Sequence, residues 1–141
     1  MYFMGIDGGG STLRVVITDA DLYPVVEIKA ESANPSSIGQ AVATERIQSA
    51  MQQALQTASL KASQIQGVAA GIAGTSTSAF DDWFQDTLTQ VLPDAQITRS
   101  SDVEIALVGA TGREFGLMAL AGTGSVAYGI NAAGDRLQMG G

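Results

Sequence analysis

Near its start the chain places three glycines directly after an aspartate, in Gly5-Ile6-Asp7-Gly8-Gly9-Gly10-Ser11-Thr12. Backbone without side chains lets several N–H groups converge on one anion, and the hydroxyls of Ser11 and Thr12 add donors. No Gly-Lys-Ser/Thr follows, so this is not a P-loop, and the residues after Gly10 alternate as a strand instead of opening a helix. The stretch therefore predicts a strand–turn–strand loop, with its glycines at positive φ. Two readings stand side by side: a cradle for phosphate oxygens, or a tight hairpin that needs glycine only for its geometry. Asp7, at the carboxyl end of the first strand, is placed to hold a hydrated Mg²⁺, which keeps most of its waters. A second turn, Leu120-Ala121-Gly122-Thr123-Gly124-Ser125, repeats the mixture of glycines and hydroxyls after a strand. Asp102 follows a short strand and opens a helix. It reads as an N-cap, or as a carboxylate at the strand-end edge where open α/β sheets bind ligands.

Composition narrows the chemistry. The 141 residues contain no cysteine and no histidine. That excludes a disulfide framework, a thiolate nucleophile, a Cys/His zinc site and a Ser-His-Asp triad within this chain. Acid–base chemistry falls to carboxylates, hydroxyls or lysine. With 7 Lys+Arg against 14 Asp+Glu the net charge is −7, and the basic residues are scattered without forming a stripe. Nucleic acid is not an expected partner, and a bound polyanion must rely on backbone amides and a metal ion. Hydrophobic residues at 45 % and charged residues at 15 % describe a globular composition. The apolar runs are too short to cross a bilayer, so no membrane association is expected, and no export signal is recognised.

The elements that must position these residues follow from periodicity. Residues 2–7 form a short apolar strand. Leu13, Val15 and Ile17 alternate with Arg14, Val16 and Thr18, and Val26, Ile28 and Ala30 with Glu27, Lys29 and Glu31, giving two further strands and an antiparallel meander. Ile47, Met51, Leu55 and Ala58 repeat at helical spacing and predict a helix over 37–59 with a serine near its start as cap. Residues 67–74 read as a strand of small residues, 80–91 as a helix with Asp81 and Asp82 at its positive end, 95–99 as a strand and 102–110 as a helix. A strand into the second glycine turn and a hairpin around 131–135 complete the chain. Three antiparallel strands followed by βαβ crossovers predict an α/β fold, a mixed five-stranded sheet with helices on both faces, plus a C-terminal hairpin.

With these elements in place, the motif set resembles the sugar kinase, heat-shock and actin superfamily with its ribonuclease-H-like fold. Residues 5–12 resemble its first phosphate motif, 101–110 its first connecting motif and 121–125 its second phosphate motif. Residues 31–39, Glu-Ser-Ala-Asn-Pro-Ser-Ser-Ile-Gly, with Gly140 and Gly141, sharpen the likeness to the BadF/BadG/BcrA/BcrD-type family, which contains N-acetylglucosamine kinase and glucosamine kinase.

The resemblance implies that Asp7 orients Mg²⁺ through water. It implies that Gly8, Gly9, Gly10, Ser11 and Thr12, together with Gly122, Thr123, Gly124 and Ser125, embrace the β- and γ-phosphates of ATP. Asn34 is implied to hydrogen-bond sugar hydroxyls, although the same residue also suits the start of an Asn-Pro turn. Ala73 stands where some relatives carry a serine that touches the sugar, leaving backbone contact near Gly74. Asp102 is implied to take the proton from the attacking hydroxyl. Residues 1–141 then form the N-terminal lobe of a longer cytoplasmic protein, consistent with a homodimer, and the isolated lobe is expected to be inactive. The implied reaction is ATP-dependent phosphorylation of the 6-hydroxyl of N-acetylglucosamine or glucosamine. Two alternatives from the same resemblance are an activator ATPase that couples hydrolysis to electron transfer, and a sugar sensor that binds without reacting.

Overall fold

The computed structural model describes residues 1–75, 78–121 and 125–140. The chain forms two compact units, residues 1–102 and 103–141.

The first unit contains β1 (Tyr2–Gly8), β2 (Thr12–Thr18), β3 (Pro24–Glu31), α1 (Pro35–Ile38), α2 (Gln40–Thr57), β4 (Ile65–Ile72), α3 (Asp81–Thr89) and β5 (Gln96–Ser100). The five strands make one sheet in the order β3-β2-β1-β4-β5. β1, β2 and β3 pair antiparallel, whereas β4 and β5 join parallel to β1. This is the mixed sheet that the meander and crossovers predict.

Alternation decides which face is buried. Ile6 pairs with Val15 on one side and Ala70 on the other, and Met4 pairs with Ile17 and Val68. All six are buried. Against them α2 packs Ile47, Ala50, Met51, Ala54 and Leu55, and α3 packs Phe84 and Leu88, at the three- and four-residue spacing of an apolar helix stripe. Each large side chain buried here contributes about 1.5–3 kcal/mol relative to exposure. The two helices are also bonded to each other: Trp83 Nε1 donates to Thr44 Oγ1 at 2.8 Å, and Gln48 Nε2 to the Thr87 carbonyl at 3.2 Å.

The expected single helix over 37–59 is two helices, and no serine caps it. Asn34 caps α1, its Oδ1 accepting from Ser36 N at 2.9 Å, with Pro35 in the first turn. Gly39, at φ +81°, lies outside helical space and ends α1, and α2 starts at Gln40 without a side-chain cap. At the other end of β2, Asp19 Oδ1 accepts from the backbone N–H of Asp21 and Tyr23 at 3.0 and 2.9 Å. That turn leaves Leu22 at φ +64° and exposed.

The second unit begins inside α4 (Asp102–Thr111), whose first residue belongs to the first unit. It contains β6 (Gly116–Ala121), β7 (Ser125–Ile130) and β8 (Arg136–Gly140), antiparallel in the order β6-β7-β8. The C-terminal hairpin thus forms with a third strand beside it. Val103 and Leu107 of α4 pack on Tyr128 and Ile130, with Met118 and Val126 at the margin. Arg136 pairs with Glu104 at 2.8 Å. No helix among the described residues is long and apolar enough to cross a membrane.

Candidate active site

Three parallel strands end at one edge of the five-stranded sheet. Asp7 on β1, Gly71 on β4 and Ser100 on β5 share a register row, and Asp102 follows two residues later as the first residue of α4. Because β2 runs antiparallel to β1 and β3 antiparallel to β2, Thr12 at the start of β2 pairs with Glu31 at the end of β3 at this same edge. Topology alone therefore delivers Asp7, Gly8–Thr12, Asn34, Gly74 and Asp102 to the strand-end edge where ligands of open α/β sheets bind.

The glycine turn is closed by a hydrogen bond from Gly9 N to the Thr12 carbonyl at 2.9 Å. None of Gly8, Gly9 and Gly10 has positive φ, which corrects the expectation that left-handed backbone explains them. Gly8 is required by packing, since a Cβ there would lie 2.8 Å from Ile72 Cγ1. A Cβ at Gly9 would meet only the Thr12 carbonyl, at 3.8 Å, and one at Gly10 would meet nothing within 4 Å. Neither backbone conformation nor crowding accounts for Gly10. Its missing side chain leaves main-chain atoms bare toward the outside, as an anion-binding turn requires. Ser11 and Thr12 are exposed beside it.

Asp7 is exposed and pairs across the strands with Arg14. Its carboxyl is nevertheless raised above the usual carboxylate range. Loss of hydration against the surrounding chain is the largest cause; the Arg14 charge pulls the other way, and the Asp102 charge raises it further. The two acids therefore lie within electrostatic reach of each other. A cation placed near both relieves that repulsion. Among the described residues no cluster of three or more His, Cys, Asp or Glu forms a metal cage. One carboxylate with a second nearby is a donor set that suits Mg²⁺, which binds through one or two carboxylates plus phosphate oxygens and water.

Asn34 and Gly74 meet directly. Gly74 has φ +82°, and a Cβ there would collide with Asn34 Oδ1 and lie 2.9 Å from Ser36 Oγ. Ser36 Oγ donates to the Gly74 carbonyl at 3.1 Å. Ala73, on the preceding position, donates its N–H to the Gly8 carbonyl at 2.6 Å, tying this loop to the glycine turn. Thr75 is buried, and its hydroxyl donates to the Ile72 carbonyl at 2.7 Å.

Several supporting residues escaped the sequence reading. Ser32 Oγ donates to the Gly9 carbonyl at 3.0 Å and accepts from Asn34 N at 3.3 Å. Arg46 of α2 donates to the Ser32 carbonyl and pairs with Glu31. Arg99, near the end of β5, donates to the carbonyl and to Oδ1 of Asp81 at 2.8 and 2.9 Å, fastening the start of α3 beside the strand that leads to Asp102. Ser32 and Ser36 had a signal, since hydroxyls two residues on either side of an asparagine suit local side-chain-to-backbone bonds. Arg46 and Arg99 had none, because their partners are distant in sequence.

Of the residues expected to form a second phosphate turn, Gly122, Thr123 and Gly124 lie outside the described residues, as does Gly141. Ser125 opens β7 in the second unit and is exposed. Gly140, at φ +79°, ends β8 where a Cβ would collide with the Ser125 carbonyl.

The model of the BadF/BadG/BcrA/BcrD ATPase family matches residues 4–141. The N-acetylmuramic acid/N-acetylglucosamine kinase of Clostridium acetobutylicum is 26 % identical over 140 residues, 99 % of this chain and 46 % of the relative. The glucosamine kinase GspK of Vibrio cholerae serotype O1 is 33 % identical over 124 residues, 88 % of this chain and 42 % of the relative. A Chromobacterium violaceum crystal structure, provisionally assigned as an N-acetylglucosamine kinase, superimposes with a TM-score of 0.75 at 25 % identity, covering 97 % of this chain and 47 % of that one. The chain thus spans less than half the length of each of these three proteins. With its mixed sheet, its glycine turn and the family match running from β1 to the last residue, the chain belongs to the BadF/BadG/BcrA/BcrD ATPase family.

Proposed function

We propose that this chain is the N-terminal lobe of an ATP-dependent amino-sugar kinase that phosphorylates the 6-hydroxyl of N-acetylglucosamine or glucosamine. The observation that carries the reading is the meeting of Asn34 with Gly74 at the same sheet edge as Asp7 and Asp102. Phosphoryl transfer asks little covalent chemistry of a protein; it asks for in-line positioning and charge stabilisation. In this reading the bare turn of Gly8–Thr12 receives phosphate oxygens on its amides and hydroxyls. Asp7 holds Mg²⁺ through water, and the bound ion supplies compensation for the charge on the phosphate oxygens. Asn34 and the Gly74 backbone orient the sugar, while the Asp102 carboxylate accepts the proton of the attacking hydroxyl. The two named kinase relatives support an amino sugar as acceptor.

The test is ADP release by the full-length protein that contains this chain, assayed with ATP, Mg²⁺ and a panel of sugars. Turnover is expected only when a hexosamine is present, and equal ADP release without acceptor overturns the kinase reading. Asp102→Asn should lower kcat by about 10²–10⁴ while leaving the melting temperature and the KM for ATP near wild type.

A further inference from the structure

Between the glycine turn and the loop at Gly74 runs a short segment, residues 32–36, whose polar groups are bonded in sequence. Ser32 Oγ donates to the Gly9 carbonyl at 3.0 Å and accepts from Asn34 N at 3.3 Å. Asn34 Oδ1 accepts from Ser36 N at 2.9 Å, and Ser36 Oγ donates to the Gly74 carbonyl at 3.1 Å. Arg46 anchors the first link by donating to the Ser32 carbonyl. The segment is a strut with the candidate phosphate turn at one end and the candidate sugar loop at the other.

This arrangement fixes the chemistry that Asn34 can offer. Its Oδ1 is engaged by Ser36 N and stands against Gly74, where no Cβ fits. Its amide nitrogen has no partner among the described residues, and an amide nitrogen only donates. We infer that Ser36 is a positioning residue of the site: its N–H and its hydroxyl together hold Asn34 and Gly74 so that Asn34 presents a donor to the acceptor sugar. The atom of the substrate that meets Asn34 is then an oxygen lone pair, of a hydroxyl or an acyl carbonyl, and not an ammonium. This inference rests on the amino-sugar kinase reading and adds to it the group that sets the polarity of sugar recognition.

The experiment compares wild type, Ser36→Ala, Ser36→Thr, Asn34→Ala and the Ser36→Ala/Asn34→Ala double variant in the full-length protein, with N-acetylglucosamine and glucosamine as acceptors. Ser36 is exposed, so thermal melts of its variants should overlay wild type. Ser36→Ala is expected to raise the acceptor KM about five- to tenfold, the range of one lost neutral hydrogen bond. The KM for ATP should stay within about twofold of wild type, the double variant should be no worse than Asn34→Ala, and Ser36→Thr should recover most of the loss. Unchanged acceptor KM in Ser36→Ala, or additive losses in the double variant, overturns the inference and leaves the kinase reading standing. No turnover by wild type with either sugar overturns both. Should Ser36→Ala melt early, Ser36→Thr decides alone: a wild-type acceptor KM supports the positioning role of Ser36 and a raised one rejects it.

Discussion

Gly10 has open space where a Cβ would project and carries no positive φ, so the fold has no use for a glycine there. Gly10→Ala should leave the melting temperature unchanged or raise stability by about 0.4–1 kcal/mol, because the unfolded chain loses freedom. If the turn cradles phosphate, the same change raises the KM for ATP; an unaltered KM assigns the glycine no part in the site. Asp7 tests a second trade-off. Its pKa is raised in the folded chain, with desolvation the largest cause. Ionising it therefore costs stability, fully so above the raised folded value and not at all below the ordinary carboxylate value. Asp7→Asn should accordingly melt at or above wild type near neutral pH, with the difference closing as pH falls toward 3.8. A wild-type protein more stable than the variant at neutral pH contradicts that sign. At this scale the sequence was readable in residue types: Asp7, Asn34, Gly74 and Asp102 all stand at the predicted edge. It was not readable in why the first turn uses glycine, since a residue that permits both positive φ and close approach does not declare which is needed.

Gly74 acts on whole elements, because it lets the loop after β4 pass under the cap of α1. A side chain at φ +82° is strained, and here it also strikes Asn34 Oδ1. Gly74→Ala should cost about 1–3 kcal/mol of stability, visible as a lower urea midpoint, and should weaken acceptor binding more than ATP binding. A variant with wild-type stability would show that the loop repacks freely. Strands were legible from alternation because each buries one face, as Leu13, Val15 and Ile17 do at full burial. The break between α1 and α2 was not, because the apolar spacing that signals α2 begins only at Ala43 and Ile47 and says nothing about Gly39. Asn34 before Pro35 was the better cap signal, since proline is favoured in the first turn of a helix.

The two units of the molecule are unequal. The first encloses a continuous cluster from Met4 to Leu92, whereas the second buries Val103, Leu107, Tyr128 and Ile130. Hydrogen exchange under native conditions should be slowest in β1, β2, β4 and α2, and markedly faster in β6 and β8, because local opening follows the amount of buried apolar contact. Equal protection in both units contradicts this ranking. That β6 pairs with β7 in a separate sheet, and not with the large one, was beyond the sequence: alternation marks a strand's faces but is silent on its neighbours.

The turn at Asp19–Tyr23 carries a practical corollary. β2 separates it from the glycine turn by its whole length, about 20 Å at ordinary strand rise. Tyr23 is 70 % exposed, and Leu22 endures a left-handed backbone that glycine would adopt more easily. A fluorescent tag or surface tether grafted between Asp21 and Leu22 would sit at the end of the five-stranded sheet opposite the glycine turn, making this loop the natural handle for immobilising the protein or turning it into a biosensor.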